Sequence, residues 1–178
     1  MKISIITVCL NSEKTILDCL NSVKNQDYLD IEHIIIDGKS SDNTPQIVLS
    51  YNSDNINFIS EYDDGIYHAM NKGIELSSGA IVGFLNSDDV FADSQTVKDI
   101  AVFFHNKDCD IIFGDVVYTK ALSLDKITRN WITGEYVPGS FKKGWHPPHP
   151  TFYVRNKVYE TLGNYDTKYR ISSDFDMM

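Results

Sequence analysis

β-rich, largely apolar runs recur along the chain with helix-spaced segments between them, and this alternation restricts the fold more than any other feature. ISIITV (3–8) reads as a strand covered on both faces. Asn11 and Ser12 then offer helix caps, and Ile16, Leu17, Leu20 and Val23 recur at helical spacing, which predicts a helix over about 13–26. IEHIIID (31–37) repeats the buried-strand pattern, completing a strand–helix–strand unit. The polar loop GKSSDNT follows, with Asp42 or Asn43 placed to cap a helix running to about residue 50. INFIS (56–60) and AIVGFL (80–85) are further strands, separated by the amphipathic stretch GIYHAMNKGIEL. Ser94 is placed to cap a helix to about His105, and DIIFGDVVY returns to β character. The expected class is α/β with a mostly parallel sheet.

The alternation fades near residue 118, and GEYVPGSFKKGWHPPHPTFY favours loops and short strands over long helices. At 178 residues the chain suits one domain, read as an α/β part over 1–118 and an extension over 119–178. The ending SSDFDMM still builds amphipathic character without a C-cap, so a truncated chain is expected. Net charge of −9 argues against a broad phosphate-tracking surface, and nucleic acid is excluded as a partner. Carboxylates still reach phosphates through a divalent cation. Cys9, Cys19 and Cys109 form no CxxC pair, so neither a disulfide framework nor a thiolate zinc site is indicated, and a reducing compartment is expected. No apolar stretch reaches the 18 or so residues of a membrane span, so any membrane contact is expected to be peripheral.

Ligands of open α/β sheets bind beyond the carboxyl ends of the strands. Three polar sites lie there: Asn11 after the first strand, Asp37 after the second, and Asn86, Ser87, Asp88 and Asp89 after AIVGFL. Adjacent carboxylates at a buried strand end repel and invite a cation; Mg²⁺ or Mn²⁺ would take oxygen ligands there and share its other positions with water and phosphate. Turn formation or helix capping is the alternative role for Asp88 and Asp89, and DGKSSDNT gives Asp37 the same alternative. A dinucleotide fold is disfavoured because CLNSEK replaces a GxGxxG turn, and no GxxxxGK[ST] phosphate loop is present.

Taken in order, ISIITVCLN, IIIDGKSSDNT, EYDDGIYHAMNKGI and GAIVGFLNSDD resemble the family 2 glycosyltransferases with a GT-A fold, over residues 3–89. GIYHAMNKGI is most similar to bacterial enzymes that build exopolysaccharide, colanic-acid-like capsule or O-antigen units. The resemblance implies a Rossmann-like sheet in which 1–118 binds a nucleotide sugar, expected to be UDP-linked, and 119–178 faces the acceptor. It makes Val8 and Cys9 backbone neighbours of the base, gives Asp37 the uracil or ribose edge, and lets Asp63, Gly65 and Asn71 line the nucleotide or donor sugar. Asp88 and Asp89 would hold the ribose and a diphosphate bound through Mn²⁺ or Mg²⁺. Two departures stand out: Val8, Cys9 and Leu10 replace a common proline, threonine and tyrosine, and Asn86 stands where the Asp-x-Asp motif usually begins.

ISSDFDM resembles the block that carries the family's base, with Ser173 in place of a glutamate; Asp174 is the expected base, Asp176 its alternative, and N-capping of a helix its other reading. His149, in PPHPTFYVR, resembles an acceptor-side motif with Pro150 in place of a polar partner, while His146 and His149 are equally suited to packing in a proline-stiffened loop. Trp131, Trp145 and Tyr136 offer faces for a sugar ring or for core packing, and Lys142 and Lys143 read as a solvated pair. The implied activity is inverting transfer to a saccharide or lipid-linked saccharide, in the cytoplasm or at the inner face of the membrane. The competing expectation is a noncatalytic nucleotide-sugar or saccharide binding module.

Overall fold

The computed structural model describes residues 1–178. Strands β1 (Ile3–Cys9), β2 (Ile31–Asp37), β3 (Ile56–Ser60) and β4 (Ile81–Phe84) alternate with helices α1 (Ile16–Lys24), α2 (Thr44–Ser50) and α3 (Ile66–Leu76). Helix α4 (Thr96–Asn106) and strand β5 (Ile111–Ile112) follow. A hairpin of β6 (Val116–Lys120) and β7 (Ser123–Trp131) then precedes β8 (Tyr153–Arg155), α5 (Asn156–Leu162) and the short α6 (Ser173–Met177). Six strands form one sheet in the order β3-β2-β1-β4-β8-β5. The first four are mutually parallel, and β8 runs antiparallel to both β4 and β5.

Helices cover both faces because successive side chains of each strand point to opposite sides. Ile6 and Val8 join Ile34, Ile36, Tyr67, Met70 and Phe84 in the core beneath α3. Ile3 and Ile5 face the other way, against Cys19, Val23, Val97 and Phe104 of α1 and α4. Full burial of an isoleucine contributes about 1.5–3 kcal/mol, so β1, buried along its whole length, anchors the sheet. Close approach of α3 depends on Gly73, where an added Cβ would lie 2.4 Å from Ile6 Cγ2. Gly83 similarly admits the ring of Tyr153, since a Cβ there would meet the ring at 2.0 Å. That absence of a side chain lets β8 seat beside β4, with Gly83 opposite Tyr153.

Several boundaries differ from those read in the sequence. Helix α1 starts at Ile16 because residues 13–15 form a turn, in which the Ser12 carbonyl accepts from the amides of Thr15 and Ile16. Neither Asn11 nor Ser12 caps it by side chain; those groups bond to other loops. Ser94 also does not cap α4: its hydroxyl donates to Asp27, and Asp93 Oδ1 accepts from the Gln95 amide and the Thr96 hydroxyl instead. The run DIIFGDVVY is interrupted at 113–115, where the Gly114 carbonyl accepts from Thr133 and Thr151 and Asp115 accepts from the Thr133 amide. Residues beyond 118 return to the central sheet through β8, which joins early and late parts of the chain in one layer.

Candidate active site

A crevice opens where the strand order reverses, between the carboxyl ends of β1 and β4. Pairing between these strands ends at Ile6 and Phe84, so Thr7–Cys9 extends beyond it. The turn after β1 and the loop after β4 meet across the crevice through Ser12 Oγ and Ser87 Oγ, 2.8 Å apart. Together with Asn11, Glu13, Asp42 and Asp88 they line a cleft of about 540 Å³, and Leu122 at the tip of the β6–β7 hairpin stands at its rim.

Asp88 is exposed at this cleft, while its neighbour Asp89 is half-buried. Asn86 and Asp89 close a turn: the Asp89 amide donates to the Asn86 carbonyl at 3.0 Å, and Asn86 Nδ2 donates to Asp89 Oδ2 at 2.8 Å. Burial raises the Asp89 pKa, the Asn86 bond opposes this, and the charge of Asp88 adds to it. A divalent cation would relieve that penalty. No group of three or more His, Cys, Asp or Glu side chains converges as a cage. Asp88 lines the cleft and Asp89 turns back to Asn86; a divalent cation at this turn would take oxygen ligands from these carboxylates and from the substrate.

A second hollow of about 200 Å³ gathers Tyr67, Asn86, His149 and Asp174 from distant parts of the sequence. Tyr67 Oη donates to Asp174 Oδ1 at 2.8 Å, and burial followed by this carboxylate raises the tyrosine's pKa. His149 Nε2 lies 2.9 Å from Tyr165 Oη, with its ring 5.4 Å from that of Phe84. Burial lowers its pKa, against the opposing pull of Asp174, which favours the neutral imidazole. The structure thus brings a carboxylate, a neutral histidine and the asparagine that heads the Asn86–Asp89 turn to one hollow. Asp176 is exposed and lies outside it.

The other residues expected at the site make contacts of their own. Asp37 is fully buried and accepts from the Ser40 amide and hydroxyl, and from Ser60 Oγ at 2.6 Å. These bonds are those of a turn, and they supply the local donors that a charge at a buried strand end needs. Cys9 Sγ lies 3.7 Å from the same carboxylate, and burial followed by the Asp37 charge raises its thiol pKa. The Cys9 carbonyl is already bonded to the Gly38 amide, and the Val8 side chain belongs to the core beneath α3. Both ends of the Asn71 side chain bond the backbone of Tyr165 at 2.9 Å, which commits one of its N–H groups and one of its carbonyl lone pairs.

Asp63 accepts from the Gly65 amide at 3.0 Å and hangs over the loop after β2, where a Cβ on Gly38 would lie 2.9 Å from Asp63 Oδ2. Gly65 is exposed with φ +126°, a conformation that favours glycine at this entry to α3. Trp131, Tyr136 and Trp145 enter an aromatic cluster: Trp131 packs edge-on to His146 at 5.3 Å, Tyr136 and Trp145 lie 5.8 Å apart, and Trp145 Nε1 donates to the Thr133 carbonyl. Sequence reasoning missed Tyr67 and Tyr165. The one available signal for Tyr67 was its place four residues before Asn71, on the same face of a predicted helix.

Comparison with known proteins gives concordant findings. Residues 4–171 match the family model described as glycosyl transferase family 2. A PGL/p-HBAD biosynthesis glycosyltransferase of Mycobacterium bovis is 28% identical over 184 residues, covering 97% of this chain and 66% of that protein. The Escherichia coli UDP-Glc:alpha-D-GlcNAc-diphosphoundecaprenol beta-1,3-glucosyltransferase WfgD is 31% identical over 135 residues, covering 72% of this chain and 53% of the relative. The crystal structure of Staphylococcus aureus TarS 1–349 superposes with a TM-score of 0.72 at 25% identity, covering 98% of this chain and 53% of TarS. The chain therefore spans about two thirds of the mycobacterial relative and about half of the other two. Its sheet is of the GT-A type.

Proposed function

The chain belongs to glycosyl transferase family 2, and from that membership we propose that it transfers a sugar from a UDP-linked donor, with inversion, to a hydroxyl of a saccharide or lipid-linked saccharide in bacterial surface polysaccharide synthesis. The observation that carries this reading is the hollow shared by Asp174, His149 and Asn86 beside the crevice at the β1–β4 switch point. The name of the similar Escherichia coli enzyme, with its UDP-sugar donor and diphosphoundecaprenol-linked acceptor, supports the choice of donor and acceptor class. In this reading residues 1–118 hold the donor and 119–178 shape the acceptor side, working at the inner face of the membrane.

The acceptor oxygen attacks the anomeric carbon, a carbon–oxygen bond forms, the bond to the diphosphate breaks, and Asp174 takes the acceptor's proton. Asp174 is suited to this role because Tyr67 occupies Oδ1 and no protein donor bonds Oδ2. One base opposite the leaving group is sufficient for an inverting displacement. A neutral His149 orients the acceptor by hydrogen bonding without adding a competing charge. Asp88 and Asp89 would hold Mn²⁺ or Mg²⁺, which would supply Lewis-acid stabilisation of the departing diphosphate.

A donor screen tests this reading by measuring UDP or GDP release with and without Mn²⁺, for the chain and for Asp174→Asn. Metal-dependent UDP release that is lost in Asp174→Asn, with UDP binding retained, is the expected result. Binding without turnover under every condition establishes the noncatalytic module instead.

A further inference from the structure

We propose that Tyr67 and Asn71 are positioning residues: successive turns of one face of α3 form a two-point mount that aims the Asp174 carboxylate. This deepens the function proposed above and rests on it.

The two side chains lie four residues apart on α3, so they project from the same face. Asn71 Nδ2 donates to the Tyr165 carbonyl at 2.9 Å, and the Tyr165 amide donates to Asn71 Oδ1 at 2.9 Å. One side chain therefore pairs with backbone as another strand would, across 94 residues of sequence. One turn earlier, Tyr67 Oη donates to Asp174 Oδ1 at 2.8 Å. The segment from Tyr165 to Asp174 is thus held at both ends by one helix. Inside it, Ser173 Oγ donates to the Asp166 carbonyl at 3.0 Å, which folds the segment back on itself. Tyr67 and Tyr165 also stack, with ring centroids 5.7 Å apart and planes at 28°.

The mount acts where the chain enters α6 without a cap of its own: Ser172, the residue before the helix, has φ 71° and makes no side-chain cap bond. Helix α3 is firmly seated, since it lies on the sheet through the close contact of Gly73 with Ile6. Rigidity therefore passes from the buried sheet to α3 and from α3 to the carboxylate. Tyr67 also selects which oxygen remains open by engaging Oδ1 alone.

Steady-state transfer, UDP titration and thermal melting on wild type, Tyr67→Phe, Asp174→Asn and their double mutant test the proposal. Tyr67→Phe keeps the ring stack and removes only the hydroxyl. Its kcat should fall about 10- to 100-fold, the effect of a misaimed catalytic group, with donor KM, UDP affinity and Tm near wild type. A merely structural tyrosine would move Tm and leave kcat alone. Added to Asp174→Asn, Tyr67→Phe should cause no further loss, because it acts through that carboxylate. Asn71→Ala should show the same kcat-only defect; should it fail to fold, the Tyr67→Phe arm decides. Wild-type kcat in Tyr67→Phe, alongside an inactive Asp174→Asn, overturns the mount and leaves the proposed function standing. Normal transfer by Asp174→Asn overturns both.

Discussion

Ser12 Oγ and Ser87 Oγ meet at 2.8 Å across the crevice, tying the turn after β1 to the loop that carries Asp88 and Asp89. The contact joins strands whose own pairing has already ended at Ile6 and Phe84. Side chains, and not the ladder of the sheet, therefore set the width of the crevice at this point. The neighbouring carboxylates consequently stand on a loop closed by Asn86 and braced by Ser12.

That bracing locates the expected cation dependence. Asp89→Asn should weaken UDP binding in the presence of Mn²⁺ by about tenfold or more, as removal of one hard ligand from a two-carboxylate site implies. Binding measured in EDTA should be unaffected by the substitution. Calorimetric titration with UDP, with and without Mn²⁺, checks this, and unchanged metal-dependent affinity would refute the assignment.

Asp37 should behave as a structural carboxylate. Its oxygens are committed to Ser40 and Ser60 in a fully buried site, so Asp37→Ala should destabilise the chain by about 2–4 kcal/mol by leaving those donors unpaired. Urea unfolding measures the loss. A variant of wild-type stability that lacks UDP binding would instead restore a direct ligand contact.

His33 gives the fold an acid-sensitive point. The ring is fully buried, bonded to Thr7 Oγ1 at 2.9 Å, and burial lowers its pKa from 6.5 to about 4. Between those values the unfolded chain binds the proton that the folded chain refuses, so stability falls as pH drops from about 6.5 towards 4. The loss is about 3 kcal/mol over that window. Urea midpoints at pH 7 and pH 4.5 should reveal it, and His33→Gln should remove most of the slope. An equally steep slope in that variant would assign the sensitivity to other groups.

Gly83→Ala should be among the most damaging single-methyl additions, because the new Cβ would lie 2.0 Å from the Tyr153 ring. A loss of about 3 kcal/mol is expected from forced displacement of β8. Combining it with Tyr153→Ala should cost less than the sum of the two single changes, because the clash disappears. Strict additivity in melting experiments would show that the ring already had room to move.

Strands β1, β2 and β4 were legible because each is a β-rich run bounded by polar loop residues, and burial on both faces requires that pattern. β8 was not legible: YVR is three residues long, and its place depends on the space above Gly83, contributed by a segment 70 residues earlier. Asp88 and Asp89 were visible as a carboxylate pair following a strand, whereas the bond that ties Asp89 to Asn86 was not. Asp37 and Asn71 drew attention by residue type and family motif. Their hydrogen bonds to Ser60 and Tyr165 depend on long-range placement.

By itself the sequence determined the α/β class, the order of the early elements and which strand ends are polar, since hydrophobic periodicity and chain direction dictate these locally. Tertiary structure alone decided that Tyr67 and Asn71 grip the Asp174 segment and that β8 enters the sheet in reverse. The reason is physical: a side chain's partner is selected by the space and the unpaired donors that packing leaves beside it, and residues brought together from opposite ends of a chain carry no mark of one another in its order.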